Sequence, residues 1–156
     1  MPLFRHLLTD GHTEDDVGRF TQQFTVANHK DRLKAELGVM PPEEVRSAEL
    51  AGWIDTGAAH LILPEVVGDS LGLEDHGKMR VRVADGSVSV RRRVKNVFVE
   101  LAGRTGVFSA VLLPGIADAL IGAILLEEMD LLVDPLNCAI VPRDPETATS
   151  TLLSVY

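Results

Sequence analysis

The chain has 156 residues, 46% of them apolar and 4% aromatic, so it can build one aliphatic core and is not a wholly disordered chain. Fifteen basic against 23 acidic residues leave a net charge of −8, a poor balance for non-specific binding to a nucleic-acid backbone. The longest apolar run, Ala119 to Leu126, is broken by Gly122 and falls short of the ~20 residues that span a bilayer, and Met1 to Leu8 carries Arg5 and His6 where a signal peptide would be apolar.

Residues 1–18 are polar and are expected to form a mobile arm, ahead of one domain over 19–143 and a tail over 144–156. Phe20, Gln22, Phe24 and Val26 alternate as in a half-buried strand. Asn28 to Asp31 can turn, Arg32 to Leu37 suits a short helical turn closed by Gly38, and Met40-Pro41-Pro42 breaks regular structure. The stretch from Ala27 to Pro42 is longer than a simple hairpin loop. Ser47 to Ile54 reads as a strand leading into Asp55-Thr56-Gly57, and His60 to Leu63 as a second short apolar run. Pro64 can open a helix that runs to Leu71, with Gly72 beyond its end. Val66, Val67, Leu71 and Leu73 are expected in the core.

Arg80 to Val83 and Val88 to Val90 alternate on either side of Ala84-Asp85-Gly86-Ser87, and Asp-Gly between alternating runs is a strong hairpin signal. Val88, Val90 and Val94 are even-numbered whereas Val97, Val99 and Leu101 are odd, so a bulge is expected near Lys95-Asn96. Arg91-Arg92-Arg93 with Lys95 reads as a solvated edge strand, since charge blocks strand-to-strand aggregation. Gly103 to Gly106 suggests a turn, Val107 to Leu113 a strand, and Ala123 to Met129 an apolar helix. Leu131 to Pro135 and Cys138 to Val141 look like a closing strand pair. The single Cys138 cannot make an internal disulfide, is compatible with a reducing cytoplasm, and reads as a small buried hydrophobe. Many short strands with frequent turns indicate an all-β barrel or sandwich.

The chemistry concentrates at Trp53-Ile54-Asp55-Thr56-Gly57-Ala58. A carboxylate at the end of an apolar strand is costly unless it faces a cleft or is hydrogen-bonded, and Gly57 permits close backbone approach. Taken alone, Asp-Thr-Gly is also an ordinary turn. The order of features, however, resembles the retropepsin-like aspartic proteases, single-domain relatives of pepsin that include the retroviral enzymes. Its carriers are Ile54-Asp55-Thr56-Gly57-Ala58, the Asp85-Gly86 hairpin 30 residues on, and Ala119-Leu120-Ile121-Gly122, whose glycine lies 67 residues beyond Asp55. Leu131 to Pro135 is similar to the bacterial members.

The resemblance spans roughly Phe20 to Pro142. It implies a closed β-barrel-like acid-protease fold, the pepsin-type half, with one or two short helices. It also implies a homodimer with Asp55 as the catalytic residue of each chain, supported by Thr56, Gly57, Ala58 and Gly122. Ala84, Asp85, Gly86 and Ser87 would then form the flap over a peptide or protein substrate. Two features depart from the family, at Ala59 and at the hairpin tip. Ala59 stands where Thr or Ser is usual, His60 follows it and reads as a strand residue turned away from the cleft, and the hairpin tip lacks the retroviral glycine run.

The dyad that the resemblance implies needs two carboxyls that share one proton, and the chain holds a single Asp-Thr-Gly, so the resemblance implies that the second carboxyl comes from another chain. The same pattern is similar to a phosphate loop of actin-like ATPases, but the chain is too short for their two lobes. His6, His12, His29, His60 and His76 lie too far apart for a helical zinc pair, so no metal and no cofactor are expected. The expected protein is therefore a cytoplasmic, dimeric aspartic endopeptidase that acts without nucleic acid or membrane. A dimeric barrel that binds extended peptides without cutting them is the alternative.

Overall fold

A computed structural model describes residues 19–82 and 85–144; the arm over 1–18, Ala84 of the hairpin, and the tail from 145, where the sequence leads one to expect either a dimer strand over Thr151 to Tyr156 or a self-cleavage site at Leu152-Leu153, lie outside the described residues. The strands are β1 Thr21–Asn28, β2 Ser47–Ile54, β3 Leu61–Pro64, β4 Glu74–Arg82, β5 Val88–Leu101, β6 Arg104–Leu113, β7 Ala119–Ile121, β8 Leu131–Asp134 and β9 Ala139–Pro142. Three short helices interrupt them: α1 His29–Glu36, α2 Glu65–Ser70 and α3 Ala123–Glu128. The order β1-β2-β7-β3-β6-β5 closes on itself because β5 also pairs with β1, which gives a six-strand barrel with β4 added at its margin. The architecture is thus the expected all-β closed barrel of acid-protease type, with few short helices.

Period-two alternation divides the apolar residues between two faces. Phe24, Val26, Leu63, Val99, Leu112 and Ile121 fill the barrel. The intervening residues Ile62, Val111, Leu113 and Leu120 face outward and pack with Ala58, Val81 and Ile116, and Trp53 and Met79 flank them. This second cluster lies under the β4–β5 hairpin, so the outer wall of the barrel is also the floor of a cleft. The parity change in β5 is a register shift between Val94 and Val97, with Asn96 at φ 60. A left-handed residue at a bulge lets odd positions replace even ones inside the barrel.

Several expectations change. Asn28 does not turn the chain; it caps α1, its side chain accepting the Asp31 N–H at 3.0 Å. The long connection over Ala27 to Pro42 is that helix followed by a 3-10 turn, Pro42–Glu44. It is anchored by Asp31, 1% exposed, which accepts from Arg46 Nε at 2.8 Å and Nη2 at 3.1 Å. The Arg46 guanidinium holds the Asp31 carboxyl below its ordinary pKa. The turn expected over Gly103 to Gly106 is the two-residue Ala102-Gly103, at φ 51 and 79, and β6 already begins at Arg104. Positive φ at both central positions is the twist-compatible hairpin turn.

Arg93 lies inside the sheet, opposite Val111 of β6, whereas Arg91 and Arg92 pair with β4 alone and have no strand on their other side among the described residues. The terminal strand of the sheet is β4. Val66 is exposed, on the outer side of α2, while Leu71 and Leu73 are buried. Cys138 is exposed, not buried, because the β8–β9 turn holds it at φ 49, outside the paired register. No helix among the described residues is long and apolar enough to cross a membrane.

Candidate active site

β2 runs parallel to β7, with Ile54 beside Ile121, and this pairing delivers Asp55 to the end of the barrel wall. The Asp55 N–H donates to Ile121 O at 3.0 Å, so the first residue past β2 is still held by β7. The chain then folds back: Ala58 N–H donates to Asp55 O at 3.2 Å, and Gly57 N–H donates to the carboxylate Oδ1 at 2.9 Å. Two further bonds tie the loop to the start of α3, from Ala123 N–H to Ala58 O at 2.7 Å and from Ile124 N–H to Ala59 O at 3.2 Å. Gly122 sits at this crossing. A Cβ there would lie 2.6 Å from His60 O and 2.8 Å from Ala58 O, so only glycine lets the two backbones meet.

Asp55 is half-buried, and its two oxygens differ. Oδ1 is held by Gly57, whereas Oδ2 is shielded from solvent and has no hydrogen-bond partner among the described residues. A desolvated carboxylate oxygen left unmatched costs free energy on the scale of ~1–3 kcal/mol, so Oδ2 marks a place where a further hydrogen-bond partner is expected. Beside it opens a cavity of about 450 Å³, walled by Arg19, Phe20 and Thr56 on one side and Val133 and Pro135 on the other. Thr56 and Gly57 are exposed at its rim, and Ala58 is buried beneath the loop.

A second cavity of about 320 Å³ lies between the end of the loop, Ala59 and His60, and β4, with Ile62 and Val111 as its floor. His60, just before β3, borders this cavity and, with Arg93 and Ile124, also lines another. The hairpin tip stands further along. Asp85 Oδ1 accepts the Ser87 N–H at 2.8 Å, Gly86 takes φ +87, and Arg82 reaches Gly86 O at 3.4 Å. The Ser87 hydrogen bonds hold the Asp85 carboxyl below its ordinary pKa.

The structure brings Asp55, Thr56, Gly57, Ala58 and Gly122 together. No hydrogen bond among the described residues joins them to Asp85, Gly86 or Ser87; the hairpin reaches the site through β4, at its base. The sequence reading missed His60 and the β4 wall of Met79 to Arg82. The alternation of those four residues was the available signal, but it identified a strand and not what the strand faces. Among the described residues no group of three His, Cys, Asp or Glu side chains could hold a metal ion.

A crossed loop presenting one rigid aspartate at the end of a closed barrel defines a class, the acid proteases. The family model described as aspartyl protease matches residues 42–125, more than half of the chain, and the chain belongs to that family. The matched segment contains the Asp55 loop, the hairpin and Gly122, while β1, β8 and β9 fall outside it. A comparison with curated proteins returned no significant match.

Proposed function

We propose that this chain is a retropepsin-type aspartic endopeptidase that works as a homodimer, each subunit contributing Asp55 to a shared pair of carboxyls. The observation that carries the reading is the asymmetry of Asp55, with one oxygen fixed by Gly57 and the other buried without a partner among the described residues. A second Asp55 across a two-fold axis, with a water between the two, supplies the missing bonds. Like charges at that separation do not both ionise, so the pair holds one proton. The ionised carboxyl takes a proton from the bridging water as it attacks the peptide carbonyl. The protonated carboxyl donates to the carbonyl oxygen. Collapse of the tetrahedral intermediate returns a proton to the leaving nitrogen and breaks the C–N bond.

β4 supports the binding half of the reading. It is the terminal strand of the sheet and lines the cavity next to the loop, so an extended peptide can bond along its free edge. Residues 19–143 act as the protease domain, Thr56 locks the two loops beside the axis, and Asp85 to Ser87 cover the bound peptide. The compartment proposed is the cytoplasm, where a single free Cys138 stays reduced.

Asp55→Asn tests the reading directly. The amide is nearly isosteric but is no base, so peptide cleavage is expected to fall by at least about a thousandfold, with thermal unfolding unchanged. In parallel, wild-type specific activity should fall on dilution, and excess Asp55→Asn chain should suppress it through mixed dimers. Cleavage that survives the substitution, or that is independent of dilution down to the monomer, would exclude the shared pair. Binding of peptides without any cleavage would instead describe a non-catalytic peptide-binding barrel.

A further inference from the structure

The net charge of −8 is unevenly placed. Seven of the fifteen Lys and Arg residues lie between Lys78 and Lys95, on the β4–β5 hairpin, against one acidic residue, Asp85. Part of that charge is neutralised: Arg92 pairs with Asp69 at 2.8 Å and Asp75 at 3.2 Å. Arg80, Arg91 and Arg93 have no ion pair among the described residues.

Strand register shows which way these side chains stand. Arg91 is opposite Met79 and Ser89 is opposite Val81 across β4 and β5, and Arg93 is opposite Val111 across β5 and β6. Directly opposed residues share a face of the sheet. Met79, Val81 and Val111 belong to the apolar cluster under the hairpin, so Ser89, Arg91 and Arg93 stand on the same cleft side. Arg91 Nε and Ser89 Oγ are both buried and both lack a hydrogen-bond partner among the described residues. Two desolvated hydrogen-bonding groups side by side, one on a cation, are unfavourable unless a ligand accepts from them.

We propose that the cleft selects acidic peptides, seating an apolar side chain against Ile62, Val81 and Val111 and an adjacent Asp or Glu against Arg91 and Ser89, with Arg93 and His60 at the rim. The proposal rests on the peptidase reading and names its substrate class. A carboxylate takes the guanidinium fork in two parallel bonds and accepts the Ser89 hydroxyl, satisfying the orphaned donors together. A Lys in its place adds like charge to a hairpin already in excess. The overall negative charge does not cancel this, because at ~0.1 M salt fields from exposed charges fade within about 10 Å.

The test uses one peptide with a central apolar pair, made with Glu, Gln or Lys at each flanking position in turn. Cleavage is measured as kcat/KM with the wild-type chain, and equilibrium binding by fluorescence anisotropy with the full-length Asp55→Asn chain. Glu is expected to exceed Gln by about tenfold at the best position, the scale of one charge-assisted hydrogen bond, with Lys below Gln. Raising salt to about 0.5 M should shrink the spread, and Arg91→Glu should invert the order of Glu and Lys. Should Arg91→Glu not fold, the wild-type series and Arg91→Gln, which should narrow the ratio of Glu to Gln, still decide. Equal values for Glu, Gln and Lys in both assays would overturn the proposal. Cleavage without charge preference sinks this inference and leaves the peptidase reading intact, whereas a preserved binding order with no cleavage does the reverse. Absence of both binding and cleavage overturns the two together.

Discussion

The Asp55 loop and the β4–β5 hairpin border the same cleft and are held by different means. Three backbone hydrogen bonds tie the loop to β7 and α3, elements more than sixty residues away in sequence, and Gly122 packs against its carbonyls. The described hairpin tip is held by its own residues, through the Asp85–Ser87 bond and the reach of Arg82 to Gly86. The proposed roles match this: a group that does chemistry needs geometry fixed by its surroundings, and a hairpin proposed to cover a peptide needs room to move. The two are also opposite in character. The loop lies on apolar packing, and the hairpin gathers positive charge.

Substitutions at two glycines test that contrast. Gly122→Ala should have the largest effect on folding, because its Cβ would meet backbone on one side and cannot be relieved by a rotamer change. A loss of about 3 kcal/mol or more is expected, with activity falling as the Asp55 loop shifts. An unchanged melting temperature would mean that the crossing is looser than drawn. Asp31→Asn sharpens the comparison from a distance, since the Asp31–Arg46 pair anchors the α1 connection and lines neither cleft cavity. A destabilisation of about 2 kcal/mol is expected near neutral pH, with KM unaffected.

The pH dependence of that second effect has a definite sign. The folded-state pKa of Asp31 is depressed, so its contribution is complete above the ordinary aspartate value near ~3.9 and disappears as pH falls through the lower folded value. Urea titrations of wild type and Asp31→Asn should therefore converge below about pH 4. A gap that stays constant into acid would show that the carboxylate charge is not what stabilises the connection.

The smallest effect is expected at the hairpin. Gly86 has φ +87 with open space around it, so Gly86→Ala is strained but not blocked. A cost of about 1 kcal/mol follows from the left-handed backbone alone. Calorimetry should find a small shift in unfolding, while steady-state kinetics should show KM and kcat moving together. A loss as large as that of Gly122→Ala would mean that the tip is as tightly built in as the loop.

Much of this was legible in the residues. β2 spans Ser47–Ile54 as the alternation and the following Asp-Thr-Gly suggest, and the parity change marked the bulge before Asn96. Asp85-Gly86 marked the hairpin, while the association of Gly122 with the aspartate was legible only through the resemblance to the family. Other features left weaker traces. Asn28 reads equally as a turn residue or a cap, because capping and turning use the same side-chain chemistry. Cys138 was expected to be buried because its neighbours are apolar, but it occupies the turn of a hairpin.

By itself, then, the sequence determined that this is a chain of short strands around an aliphatic core, with one aspartate poised at a strand end and a hairpin some thirty residues later. Those properties are local. Period-two patterning, turn chemistry and the bulge need only near neighbours along the chain. The tertiary structure alone decided that β2 pairs parallel with β7 and β3 with β6, that His60 borders the cleft, and that Arg91 Nε and Ser89 Oγ are buried without a hydrogen-bond partner among the described residues. The physical reason is that alternation specifies which residues share a face but not what that face meets. The partner strand, the closing of the barrel and the burial of a charge depend on residues far apart in sequence, which only the folded chain brings into contact.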